Sequence, residues 1–171
     1  MPNHHRLSVN LSKRQLFSNT IVLQLCDDIV RANVKPGRIM LEITESIALS
    51  DVSYARERIA ELYSKGFGIS IDDFGVGYSS LSQLREIPAD ELKLDISFVR
   101  RIHEKSGFSM ATAIISIAKS LDMECVAEGV EDARSADLLG SMGVEILQGY
   151  HFAKPMPIDD YLAWLAARTN Q

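Results

Sequence analysis

Acidic side chains recur at the ends of short apolar segments in this chain. The clearest case is the β-branched segment 68–71, which leads directly into two adjacent carboxylates, Asp72 and Asp73. Two like charges this close repel each other and raise one pKa, unless a cation or a positive side chain lies between them. Two glycines, Gly75 and Gly77, follow at once. Taken alone, this segment is as compatible with a surface turn as with a site, because Asp and Gly are common turn residues.

The other predicted strands end in residues of the same kind. Asn10, Glu42, Lys93, Glu128 and Gln148 each lie at or near the end of one. Individually, Glu42 and Lys93 are compatible with exposed surface positions. Glu128 is compatible with a turn and Gln148 with a loop. In a parallel sheet or barrel, however, the carboxyl ends of the strands meet at one face, and ligands bind there. The joint placement of these residues therefore predicts a functional site at that face.

The residue types indicate which chemistry such a site performs. Carboxylate and amide oxygens suit Mg²⁺ or Mn²⁺ better than Zn²⁺. No histidine lies at a predicted strand end, which argues against a histidine-ligated metal; the four are His4, His5, His103 and His151. Adjacent acids that bridge two cations suit phosphodiester hydrolysis, because two metals stabilise the attacking and leaving oxygens together. A lysine nearby could pair with a phosphate or a metal-bound hydroxide.

Six predicted strands must position these side chains. We predict them at residues 6–10, 39–43, 67–71, 91–95, 123–127 and 145–148. The helices between and after them are predicted at 21–32, 51–65, 80–85, 97–103, 109–121, 131–142 and 158–167. Such alternation is typical of parallel strands with crossover helices, in an open doubly wound sheet or a (β/α) barrel. No Gly-x-Gly-x-x-Gly follows the first strand, which argues against a dinucleotide site. A complete barrel has eight units in about 250 residues, so this chain is two units short.

The composition restricts the class of protein. The chain has 171 residues, 46% hydrophobic and 24% charged, as expected for a single globular domain. Its net charge of −5 argues against a general nucleic-acid binder. Neither a membrane-spanning apolar run nor a signal-peptide pattern is present. Cys26 and Cys125 lie in apolar surroundings and are predicted to be buried free thiols, which fits a reducing cytoplasm.

A set of motifs in order along almost the whole chain resembles the EAL domain family. They are Val9-Asn10, Glu42-Ile43-Thr44-Glu45, Asp72-Asp73-Phe74-Gly75-Val76-Gly77-Tyr78-Ser79-Ser80-Leu81, Lys93-Leu94-Asp95, Ala127-Glu128-Gly129-Val130-Glu131 and Gln148-Gly149-Tyr150 through Pro155. The resemblance implies an incomplete TIM-type (β/α) barrel with six of eight units, forming the C-terminal two-thirds of one EAL domain over residues 1–171. It also implies hydrolysis of the bacterial second messenger cyclic di-GMP to pGpG, with Mg²⁺ or Mn²⁺.

The same resemblance assigns metal ligands. Asn10, Glu42 and Asp72 would hold the first cation. Asp72 would bridge to a second cation, which it would share with Asp73 and Glu128.

Further roles follow from the resemblance. Lys93 and Glu128 would be catalytic, and Lys93 would orient the nucleophilic water or the scissile phosphate. Gln148 would support the water or the substrate. Glu45 would hold the loop from Asp73 to Ser80, which in the family couples the site to a dimer interface. The loop residues in question are Phe74, Gly75, Gly77 and Ser79.

One feature departs from the family pattern. The chain has no Glu-Ala-Leu motif, whose glutamate is a metal ligand in the family, and it begins just before the strand with Asn10. We therefore expect the first two units to lie outside it, which would leave strand edges that favour a homodimer. An alternative is a weakly active or inactive module for cyclic di-GMP binding or dimerisation. Another is a different Mg²⁺-dependent barrel enzyme that acts on another phosphate or an enolate.

Overall fold

The computed structural model describes residues 6–50, 53–77 and 81–169. In this part of the chain the strands are β1 (Leu7–Asn10), β2 (Ile39–Thr44), β3 (Gly68–Phe74), β4 (Glu91–Leu94), β5 (Glu124–Ala127) and β6 (Ile146–Leu147). The helices are α1 (Lys13–Leu16), α2 (Asn19–Arg31), α3 (Glu45–Ala48), α4 (Ser53–Ser64), α5 (Leu81–Leu84), α6 (Ile96–Val99), α7 (Lys105–Ser120), α8 (Ala133–Met142) and α9 (Ile158–Thr169). A 3₁₀ turn, Pro36–Arg38, leads into β2.

The six strands form one parallel sheet in sequence order, from β1 to β6. Asn10 lies beside Glu42, and Thr44 beside Asp72, so the carboxyl ends of neighbouring strands stay level. The sheet curls into part of a barrel with helices packed against it. The predicted α/β class and the incomplete TIM-type barrel of six β/α units are confirmed.

The two faces of the central strands differ in chemistry, because successive strand residues point to opposite sides. The residues of β2, β3 and β4 that join the hydrophobic core are Ile39, Leu41, Ile43, Ile69, Ile71, Phe74, Leu92 and Leu94. Most alternate positions are polar, and the buried polar side chains among them are Glu42, Ser70, Glu91 and Lys93. The apolar face packs under the helices, so the polar face is left for the site.

Several boundaries differ from the predicted ones. Strand β3 continues through Phe74 instead of ending at 71, so both of its acids lie within the strand. Helix α7 begins at Lys105 instead of 109 and includes Gly107. A Cβ on Gly107 would lie 2.0 Å from the carbonyl oxygen of Arg101, so this glycine permits close packing and does not end the helix. The start of the helix predicted at 51–65 lies outside the described residues.

Asp132 caps α8, because its side chain accepts a hydrogen bond from the Ser135 N–H. The predicted burial is right for only one of the two cysteines. Cys125 is buried, and burial followed by the nearby charge of Glu145 raises the pKa of its thiol to about 12. Cys26 is a free thiol too, but it is only half-buried. None of the described helices is both long enough and apolar enough to cross a bilayer.

Gly149 provides a stability test at the C-terminal end of β6. A Cβ at this position would lie 2.1 Å from the carbonyl oxygen of Val130 and 2.3 Å from its nitrogen. Backbone atoms cannot move aside as a flexible side chain can. We expect Gly149→Ala to lower the free energy of unfolding by about 2 kcal/mol or more, as measured by urea denaturation.

Gly140 is the matched control, since a Cβ there meets nothing within 4 Å. It lies inside α8, so Gly140→Ala is expected to stabilise the protein by about 0.5–1 kcal/mol. Equal effects of the two substitutions would refute the close approach at Gly149.

Candidate active site

Lys93 lies at the centre of the acidic residues on the polar face of the sheet. Its Nζ is 2.9 Å from Glu42 Oε1, 3.2 Å from Asp72 Oδ1 and 2.6 Å from Glu128 Oε1. The lysine is only 2% exposed, although lysine is rarely buried so completely unless it is paired. Side chains from four consecutive strand ends therefore converge on one point.

Backbone pairing positions these four side chains. Glu42 and Lys93 lie within β2 and β4, and Asp72 lies in β3 between them. Glu128 comes directly after β5, where its N–H donates to the Leu94 carbonyl oxygen at 3.2 Å. The parallel ladder thus fixes Glu42, Asp72 and Lys93, and this backbone hydrogen bond ties Glu128 to the end of β4.

The electrostatics of the cluster are strongly coupled. Burial alone would lower the pKa of Lys93, but its hydrogen bonds to Glu128 and Glu42 outweigh burial and raise that pKa above its ordinary value. Burial raises the pKa of Glu128, and the charges of Asp72 and Glu42 add to the rise while Lys93 opposes it. The ammonium is therefore the group that keeps several acids together at this point.

Asp73 occupies a special backbone position beside the cluster. Its φ is +57°, which non-glycine residues rarely adopt, and the β3–β4 register shifts between Ile71 and Phe74. The Asp73 N–H donates to Asp72 Oδ1 at 3.0 Å, which supports this conformation locally. Burial, then Asp72 and Asp95, raise the pKa of Asp73. The irregular backbone allows two neighbouring acids to depart from strict strand alternation.

Asn10 and Gln148 lie to either side of the central residues. Asn10 is exposed and pairs in register with Glu42. The Gln148 N–H donates to the Ala127 carbonyl oxygen at 2.9 Å, next to Glu128. Gln148, Glu128 and Tyr150 help to line a cavity of about 270 Å³. The structure thus places the predicted residues along one rim of the sheet.

Glu45 contacts the loop after β3. It is 5% exposed, and its Oε2 accepts a hydrogen bond from the Gly75 N–H at 2.9 Å. Gly75 has a φ of +95°, and a Cβ there would lie 2.9 Å from Ile114. Phe74 is buried, and Gly77 lines a second cavity beside Glu45. Ser79, predicted for the same loop, lies outside the described residues.

Removing the Glu45 carboxylate gives a local prediction. Glu45→Ala leaves the Gly75 N–H without its charged acceptor, and such bonds contribute about 1.5–3 kcal/mol. We expect hydrogen exchange of the Gly75 amide to accelerate by about tenfold or more, because 1.4 kcal/mol corresponds to a factor of ten. Glu45→Gln keeps an acceptor oxygen and should retain most of the protection. Unchanged exchange in Glu45→Ala would show that this contact does not hold the loop.

The donor chemistry of the rim fits a hard divalent cation. Asn10, Glu42, Asp72, Asp73 and Glu128 offer only oxygen ligands, which Mg²⁺ and Mn²⁺ prefer. Within residues 6–50, 53–77 and 81–169, no three histidine, cysteine, aspartate or glutamate side chains are already arranged as a metal site. The positive charge that contacts these acids is the Lys93 ammonium, which pairs with Glu42, Asp72 and Glu128.

Comparison with known proteins identifies the family. The sequence model of the EAL domain family matches residues 1–155. The chain belongs to the EAL domain family. It is 37% identical over 161 residues to the bifunctional diguanylate cyclase/cyclic di-GMP phosphodiesterase MucR of Pseudomonas aeruginosa, covering 94% of this chain and 24% of MucR. It is 39% identical over 160 residues to the cyclic di-GMP phosphodiesterase PdeR of Escherichia coli, covering 93% and 24%.

Solved EAL structures share the fold. The MucR phosphodiesterase in complex with c-di-GMP matches with a TM-score of 0.87 and 36% identity, over 91% of this chain and 64% of that one. A manganese/c-di-GMP complex of Klebsiella pneumoniae BlrP1 matches with a TM-score of 0.81 and 31% identity, over 90% of this chain and 40% of that one. This EAL chain spans about a quarter of the length of the curated relatives it matches.

Some residues that shape the site were not singled out from the sequence. Gly129 has a φ of +68° and packs against Ile96 of α6. The Val130 N–H donates to the Gln148 carbonyl oxygen at 3.0 Å. The Gly after Glu128 was a signal for a left-handed turn, whereas nothing in the sequence indicated the role of Ile96.

Proposed function

We propose that this chain hydrolyses cyclic di-GMP to the linear dinucleotide pGpG at the rim around Lys93. The observation that carries the proposal is the convergence of Glu42, Asp72 and Glu128 on that ammonium, within 2.6–3.2 Å, at the carboxyl ends of adjacent strands. Relatives named as cyclic di-GMP phosphodiesterases support the substrate class. The reaction, its product and its metal dependence are parts of this proposal.

The cations would be Mg²⁺ or Mn²⁺. Asn10, Glu42 and Asp72 would hold one, and Asp72, Asp73 and Glu128 would hold another. Bound there, the cations would supply a reactive water at neutral pH and stabilise charge on the phosphate oxygens. A structural relative complexed with manganese and c-di-GMP supports the use of divalent metal.

The side chains of this chain supply the remaining functions. The Lys93 ammonium orients the attacking water or the scissile phosphate, because it donates three hydrogen bonds and carries a positive charge. Glu128, itself a proposed metal ligand, accepts a hydrogen bond from Lys93 and so places the ammonium beside the cation site. Gln148 holds the water or the substrate at the neighbouring strand end. Glu45 stabilises the loop through Gly75 and thereby joins the site to a homodimer interface.

A second candidate function is binding of cyclic di-GMP without turnover. The observation that favours it is the Lys93 ammonium, which already balances the acids that the first proposal assigns to cations. In this case, the protein would act as a receptor or a dimerisation module.

Incubation with cyclic di-GMP and Mg²⁺, followed by chromatography, separates the two. Formation of pGpG that EDTA abolishes supports hydrolysis, whereas binding without pGpG favours the receptor. Absence of both binding and turnover would contradict both proposals. Native mass measured on the same sample tests the homodimer, and a stable monomer would count against it.

A further inference from the structure

The loop that follows β5 approaches α6 so closely at position 129 that a side chain there would collide with Ile96. We call residues 128–132 the Glu128 loop. Gly129 lies in the left-handed region, and a Cβ there would lie 2.2 Å from Ile96 Cγ1 and 2.4 Å from its Cδ1. The Ile96 side chain therefore fills the place that any larger residue at 129 would need.

Ile96 itself has a fixed position. It begins α6 directly after Asp95, whose carboxylate caps the helix by accepting the Ser97 N–H at 2.9 Å. The Ile96 carbonyl oxygen accepts the Arg100 N–H at 2.9 Å. The same strand-to-helix corner carries Lys93, three residues earlier. A contact from Ile96 to the Glu128 loop therefore makes the position of Glu128 depend on the corner that carries Lys93.

The opposite side of the Glu128 loop is held by backbone groups. The Val130 N–H donates to the Gln148 carbonyl oxygen, and the Val130 carbonyl oxygen accepts the His151 N–H, both at 3.0 Å. Gly149 leaves room for this close pairing. On the β6 side the loop thus depends on backbone hydrogen bonds. On the α6 side the Ile96 side chain packs against it, and an exposed ion pair joins Arg100 Nη2 to Glu131 Oε1 at 3.4 Å.

We propose that Ile96 is a positioning residue that fixes Glu128 against the Lys93 ammonium. It acts through packing under Gly129 and not through contact with reacting atoms. Its importance for catalysis rests on the proposed function, but its effect on the Glu128–Lys93 pair, with 2.6 Å between Oε1 and Nζ, does not. Ile96 thereby sets the distance between two residues of the site that come from different strands.

The first test uses neither metal nor substrate. The ¹⁵Nζ signal of Lys93 is recorded by NMR in the wild type, Ile96→Ala, Glu128→Gln and the double variant, in EDTA. The signal is assigned by its absence from Lys93→Met. We expect Ile96→Ala to move it in the same direction as Glu128→Gln does, and the double variant to match Glu128→Gln alone. Ile96→Val, which lacks only Cδ1, should give a smaller shift in that direction.

Ile117→Ala is the control, because Ile117 is also half-buried but lies on α7. It should leave the Lys93 signal in place while costing similar stability. An unmoved signal in Ile96→Ala, or a shift of equal size in the Glu128→Gln background, would overturn the proposal. If Ile96→Ala does not fold, Ile96→Val decides on the same criteria.

A Mn²⁺ titration then distinguishes this inference from the proposed function. Residues behind metal ligands typically affect affinity by 10–100-fold, so we expect Ile96→Ala to weaken Mn²⁺ binding by about tenfold. If the wild type binds no Mn²⁺ while the NMR result holds, the metal proposal fails and the positioning role stands. If the wild type binds Mn²⁺ and Ile96→Ala binds it equally well, the positioning role is contradicted.

Discussion

Lys93→Met is expected to lower the free energy of unfolding by about 3 kcal/mol in the presence of EDTA, because removing one partner of a buried ion pair leaves uncompensated charge. The side chains of Lys93, Glu42 and Asp72 are 3%, 9% and 14% exposed, so water can screen little of the repulsion that remains. Urea denaturation measures this loss. The same variant is expected to lack turnover, because no ammonium remains to orient water or phosphate.

Mn²⁺ is expected to raise the free energy of unfolding of this variant. Without a competing ammonium, the three carboxylates should bind Mn²⁺ about tenfold more tightly or better, and ligand binding to the native state raises stability. Millimolar Mn²⁺ should therefore restore most of the lost stability. Lys65→Met is the control, since Lys65 pairs with Glu61 at 3.6 Å on the surface and such pairs contribute about 0–1 kcal/mol. A Lys93→Met protein as stable as the wild type in EDTA would show that the ammonium does not hold the cluster together.

Asp72→Ala is expected to abolish Mn²⁺ binding with little loss of fold. Asp72 would be a ligand to both cations, so its removal should cost at least about hundredfold in affinity, beyond the range for residues behind the ligands. The fold should tolerate the change, because Lys93 keeps Glu42 and Glu128 as partners and the mutual repulsion of the acids falls. Calorimetric titration with Mn²⁺ measures the affinity.

Asp72→Asn is the matched variant for this experiment. It keeps an oxygen that can accept the Asp73 N–H, now 3.0 Å from Asp72 Oδ1, but it loses the charge. A weakened but measurable affinity is expected. Unchanged affinity in Asp72→Ala would show that the metal assignment is wrong.

The fold and the rim were predictable from the sequence because parallel strands bring their carboxyl ends together. Alternating segments and acids at their ends were sufficient to place Glu42, Asp72 and Glu128 near one another. The central position of Lys93 was less accessible. The alternation along a strand predicts on which face of the sheet a side chain lies. It does not predict which charged groups on neighbouring strands come within hydrogen-bonding distance.

Features that depend on close packing could not be read from local sequence. The helix predicted at 109–121 begins after Gly107, yet α7 includes this glycine, where only glycine fits against the backbone of Arg101. The conformation of Asp73 follows from the register shift between β3 and β4, which involves a partner strand. Ile96 looks like an ordinary apolar residue until its contact with Gly129 is known. In each case the decisive neighbour comes from another element.

The most direct measurement is the anomalous diffraction of Mn²⁺ in crystals of this chain grown with the metal. We expect a strong peak among the carboxylates of Glu42, Asp72 and Glu128, with a Lys93 ammonium that no longer contacts all three. Peaks only at other places on the surface, with the ammonium still bound to the three acids, would contradict a metal-dependent site at this rim.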